Sequence, residues 1–218
     1  MKARHAAAKS PAATAEAPAV ARERSLLLAR VVAWSLVPLY VAGICAFLWL
    51  ERRLDVSDEN PVEGTLILVG FGAFAVVGAL LVARRPANPV GWIMSTLALM
   101  VALFPTGDMY AAYVITTRGR PEALTVAGAW VQSWYWYLLL ALMFVYLPLL
   151  FPDGCLPSRR WLPVAMLAGV GTLGLVVLGM LTATLTGQEV DYRIENPIGV
   201  EGLAPVERLP VFGLLGVP

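Results

Sequence analysis

Asp108 is the one charged side chain within the long apolar runs of this 218-residue chain. A carboxyl in hydrocarbon is costly unless it is paired. Such a residue therefore either marks a ligand, cation or proton site, or sits near a rim where it can snorkel toward water. A second candidate is Gln132, set among Trp130, Trp134, Tyr135, Trp136 and Tyr137. An amide offers a donor and an acceptor, and aromatic faces attract cations. The same residues also compose an interfacial anchoring belt. Asp108, Gln132 and Trp136 are thus the candidate ligand or signalling residues, and both interpretations stay open for each. The remaining reactive types are sparse. His5 is the only histidine and has no ligand-spaced neighbours, while Cys45 falls in an apolar run and Cys155 in a polar loop. Neither metal spacing nor a disulfide framework follows, and no nucleophile pattern or phosphate-binding glycine loop is present. Catalytic, cofactor-binding and metal residues are expected to be absent from this segment.

The elements that must position these residues are membrane spans. The chain is 59% hydrophobic and only 14% charged, with a mean hydropathy of +0.72, which exceeds what a soluble core requires. A helix needs about 20 apolar residues to cross a hydrocarbon core about 30 Å thick. Runs of that kind occur at about 31–50, 64–83, 92–112, 127–151 and 162–185. A sixth, 209–218, has half the required length. The predicted fold is an all-α polytopic bundle of five complete spans plus the start of a sixth. Residues 1–25, rich in alanine and proline with scattered charge, read as a disordered tail ahead of a membrane domain over 26–218. Ala75, Ala79 and Ala83, together with the pairs Ala165 and Gly169 and Gly179 and Ala183, provide small-residue faces for helix packing. Pro38 and Pro148 lie inside apolar runs and permit kinks.

Basic residues resist translocation, so their distribution orients the bundle. Ten of the 16 lysines and arginines fall in the tail and in the loops around 84–91 and 152–160; six fall on the other side. The N-terminus is therefore expected in the cytoplasm and the protein in the plasma membrane. The other side carries an acidic loop with Glu189, Asp191, Glu195, Glu201 and Glu207, best read as solvated. Its loops are too short for a folded ligand-binding domain, so sensing, where it occurs, uses the helices or their rims. The lipid bilayer is the partner these features imply; a net charge of +1 gives no reason to expect nucleic acid.

Two loops say more than a turn demands. "RRPANPVGW" at 84–92 ends a span with arginines, stops the helix with prolines and opens the next span with an interfacial tryptophan; "FPDGCLPSRRW" at 151–161 reuses the same ingredients. With "DMYAAYVI", "AWVQSWYWY" and "ENPIGVEGL", in that order, the chain from about 26 to 218 resembles the multi-span sensor region of bacterial two-component sensor histidine kinases. Cys155 stands where that family usually carries a basic residue. The resemblance implies a membrane sensor followed by a dimerising helix with a phospho-accepting histidine and an ATP-binding domain. It thereby implies a homodimer formed through that downstream region, a response-regulator partner, and ATP with Mg used outside this segment. The reading frame is then expected to continue past Pro218, completing a sixth crossing that returns the chain to the cytoplasm. Two alternatives stand beside this. A transporter or permease subunit requires interrupted helices meeting at the midplane, and a free-standing membrane adaptor requires no effector at all.

Overall fold

The computed structural model describes residues 11–56, 61–187 and 190–202. The protein is an all-α bundle in which, among these residues, five helical segments are long and apolar enough to cross a membrane. It is a multi-pass membrane protein. In chain order the elements are α1 (Pro11–Leu54), α2 (Pro61–Arg84), α3 (Pro89–Arg118), α4 (Ala123–Gln132), α5 (Tyr135–Ala141), a π-helical turn over 142–146, α6 (Leu147–Leu150), α7 (Leu162–Met180), and the strands β1 (Thr184–Thr186) and β2 (Arg193–Glu195).

α3 is the hub, packing against α1, α2 and α4, and it is the most buried of the spans. Small residues make this possible because, in lipid, helices associate through close packing rather than through the hydrophobic effect. Ala75 and Ala79 are buried in the core, as their four-residue spacing predicts. α3 crosses α4 at Gly107 and Gly128, where a Cβ on Gly128 would lie 2.6 Å from the Gly107 carbonyl oxygen. Tyr40 of α1 donates to the Leu68 carbonyl of α2, and Thr106 of α3 donates to Ala102 O at 2.6 Å and to Gly43 O of α1 at 3.2 Å. α7 lies at the periphery against α5, with most of its apolar surface exposed.

Several sequence expectations need correction. α1 starts at Pro11, so most of the segment read as a disordered tail continues the first span as helix. Alanine is the best helix former, and extending an existing helix avoids the nucleation cost. Residues 1–10 and the expected sixth span at 209–218 lie outside the described residues. The fourth span is not one continuous helix: it breaks at Ser133 and Trp134 and passes through a π-helical turn before Pro148. Tertiary bonds hold the break, with Ser133 Oγ donating to Gly179 O at 2.9 Å and Trp130 Nε1 to Met180 O at 3.0 Å. The fifth span ends at Met180 rather than 185 because Leu185 belongs to β1.

β1 and β2 form an antiparallel hairpin with Leu185 opposite Ile194, and both side chains face inward. Asn196 anchors it, its Nδ2 donating to Met180 O at 2.9 Å and Thr182 O at 2.7 Å. These bonds satisfy carbonyls left open at the C-terminus of α7.

At the opposite end of the bundle the two proline-rich loops are stitched together. Asn88 caps α3, its Oδ1 accepting from Val90 N at 2.9 Å with Pro89 at the first helical position. Its Nδ2 donates to Pro152 O at 3.0 Å. Gly154 packs on Asn88 and Pro89 with a φ of 75°, a conformation suited to glycine where a Cβ would collide with both. Trp92 Nε1 donates to Pro86 O at 3.0 Å, and Arg30 Nε to Ala83 O at 3.0 Å. Arg84, Arg85, Arg159 and Arg160 are all exposed around this joint, which we call the arginine face.

Candidate functional site beneath the hairpin

Asp108 lies 19 residues along α3 from Pro89, about 28 Å at 1.5 Å per residue, and thus near the far edge of a hydrocarbon core. It is not snorkelling: the residue is only 3% exposed. The hairpin covers it. Tyr192, immediately before β2 and itself buried, donates its hydroxyl to Asp108 Oδ1. Burial first, then the neighbouring Asp108 carboxylate, pushes the Tyr192 phenol far above its ordinary range, so Tyr192 is the proton donor of the pair. The surrounding wall is apolar and small, built from Ala111 and Ala112 of α3, Ala129 of α4, and Leu185 and Ile194 of the hairpin.

α4 presents Thr125, Ala129 and Gln132 as its buried face, spaced by four and three residues, and α3 is the helix it chiefly packs against. Gln132 is buried beside the helix break with its amide oxygen lacking a hydrogen-bond partner; the Thr125 hydroxyl and Trp134 Nε1 are also buried without one. Buried acceptors left open in this way are rare and costly. Trp136 lies apart from this seam, 40% exposed, with its ring against Tyr135 at 5.0 Å between centroids. Of the three candidates from sequence, Asp108 and Gln132 are therefore buried and Trp136 is a surface aromatic.

Reading the sequence missed Tyr192, Asn196, Thr125 and Asn88. The alternation in "TLT" and "RIE" is a strand signal flanking Tyr192. The dipeptide "NP" is a helix-start signal at Asn88. Nothing local singles out Thr125.

Chemically, the site places one buried carboxyl under the hairpin, joined to it by the Tyr192 hydroxyl. Gain or loss of a proton or cation at Asp108 changes how well the carboxyl accepts from Tyr192, and so how firmly the hairpin is held. Among the described residues no group of three or more histidine, cysteine or acidic side chains is positioned to hold a metal ion. Cys45 and Cys155 are both free and exposed. No protein-family model, curated protein or solved structure matches this chain.

Proposed function

We propose that this chain is the membrane-embedded sensor and anchor region of a two-component sensor histidine kinase, passing a stimulus at the hairpin face to a kinase domain in the cytoplasm. The observation that carries the reading is how the resembling segments pair in space. "RRPANPVGW" meets "FPDGCLPSRRW" through Asn88 and Pro152, and Asp108 of "DMYAAYVI" meets Tyr192 of the hairpin whose anchor, Asn196, belongs to "ENPIGVEGL". α3 joins the two sites as one helix, with Asn88 capping its start and Asp108 near its far end.

In this reading the N-terminus and the arginine face are cytoplasmic, the membrane is the plasma membrane, and the hairpin faces outward. A stimulus that favours the docked or the released hairpin shifts α3 and its joint between two arrangements. ATP and Mg are used by the downstream domain, which also provides the homodimer contact and meets the response regulator.

Extending the gene sequence past codon 218 tests this. The expected continuation is apolar residues completing a sixth span, then arginines, a helix carrying a histidine beside an acidic residue, and a glycine-rich nucleotide-binding domain. A stop codon directly after Pro218 in the intact gene overturns the kinase assignment and favours a membrane adaptor.

One observation favours a second reading. The break at Ser133 and Trp134, with the buried amide oxygen of Gln132 beside it, is the kind of interrupted span from which transporters build substrate sites. Further spans downstream that repeat this interruption, in place of a kinase, support the transporter.

A further inference from the structure

Between α1 and α4, with α3 as its floor, lies a cleft of about 380 Å³ lined by Ala46, Trp49, Leu103, Gly107, Leu124 and Gly128. It exists because α3 and α4 touch at two glycines: the absence of side chains at Gly107 and Gly128 leaves a trough beside the crossing. Leu124 is 65% exposed and Trp49 50% exposed, so the cleft opens sideways from the bundle. Its residues belong to spans, so what it opens onto is the bilayer.

The lining is almost wholly apolar and asks for an apolar occupant. Of its two hydroxyl-bearing residues, Thr106 already donates to Ala102 O and Gly43 O, and Tyr110 is the other. An acyl chain meets that requirement, whereas a polar solute leaves its own groups unsatisfied there. The mouth is different. Arg53, one helical turn beyond Trp49 on α1, holds its guanidinium 5.1 Å from the centre of the Trp49 ring. Trp49 in turn contacts Tyr113 of α3 at 5.9 Å between centroids, which fixes the ring and the charge above it at the rim. Arginine suits phosphate through its planar array of donors, and tryptophan suits the headgroup boundary.

We propose that this cleft binds an anionic phospholipid of the surrounding leaflet, one acyl chain lying over Gly107 and Gly128 and the phosphate headgroup beside Arg53. The proposal depends only on the protein being in a membrane, and it stands or falls independently of the kinase reading.

The full chain, purified in mild detergent, is offered dioleoyl phosphatidylglycerol or dioleoyl phosphatidylcholine, and retained lipid is counted by native mass spectrometry. Phosphatidylglycerol should be preferred about fivefold, the effect of one arginine near an anionic headgroup. Arg53→Gln should abolish the preference. Ala46→Phe, at an exposed position on the cleft wall, should abolish retention of either lipid while leaving helix content by circular dichroism unchanged. Phosphatidylglycerol with brominated chains checks the same point without a filling variant: it should quench Trp49, seen as less quenching in Trp49→Phe than in the unaltered chain. Equal retention of the two lipids, retention undiminished in Ala46→Phe, or identical quenching with and without Trp49 each overturns the proposal. So does a disulfide-linked dimer through Leu124→Cys in a Cys45→Ser, Cys155→Ser background, since a second copy would then occupy the cleft.

Discussion

The hydrogen bond from Tyr192 to Asp108 joins residues 84 positions apart and holds the hairpin to α3. Removing the phenol in Tyr192→Phe leaves a buried carboxyl without this donor, at a cost of about 1–3 kcal/mol. Exposed Arg193 in β2 reports the result: trypsin should cleave there fastest in Tyr192→Phe and Asp108→Leu, and at an intermediate rate in Asp108→Asn, whose amide oxygen still accepts but without the charge. On the proposed function, Asp108→Asn should alter signalling in the full-length protein while membrane expression stays intact, because losing the charge weakens the hold on the hairpin without removing the acceptor. The hairpin should also respond to alkali. The Tyr192 pKa is raised above its ordinary 10.0, so the folded state holds this proton more tightly than the unfolded state does. Stability from this group is therefore fully present below about pH 10 and is lost as pH rises beyond it. Tryptic cleavage at Arg193 should accelerate above that pH in the unaltered chain and show no such step in Tyr192→Phe. Asp108 was legible in the sequence as the one charge inside a span. Tyr192 was not, because nothing in a single sequence links a tyrosine in an acidic loop to a carboxyl on a distant helix.

Among elements, the loop pair at the arginine face turns on Asn88, which serves two bonds with one amide. Asn88→Ala should lower stability by about 1–3 kcal/mol, since it opens both the α3 cap and the link to Pro152. Asn88→Asp keeps the acceptor for Val90 N and loses only the donor to Pro152, so its thermal midpoint in detergent should fall between the other two. A midpoint for Asn88→Ala equal to that of the unaltered chain contradicts the joint. The five spans were legible because hydrocarbon thickness fixes the length of an apolar run. Their interruptions were not. The stretch from Gln132 to Tyr137 contains no glycine or proline to announce a break, and it is Gly179 and Met180 on α7 that capture Ser133 and Trp130. The hairpin was legible in principle, through the alternation around Leu185 and Ile194. That signal is masked because Leu185 also continues the apolar run of the fifth span and the residues after it are acidic.

For the whole molecule, the proposed orientation, argued from the division of arginines and lysines, places the stitched loops in the cytoplasm. Cys155, exposed on that face, is a native probe. In Cys45→Ser cells it should resist a membrane-impermeant thiol reagent until the cells are lysed; labelling of intact cells contradicts the orientation. The proposal that this bundle governs a histidine kinase is tested by phosphate transfer in the full-length gene product. Membrane vesicles containing that protein, supplied with γ-labelled ATP and Mg, should incorporate label into the protein as an acid-labile, alkali-stable phosphate on histidine. Vesicles in which the full-length protein is abundant and folded, yet takes up no such label, contradict the account.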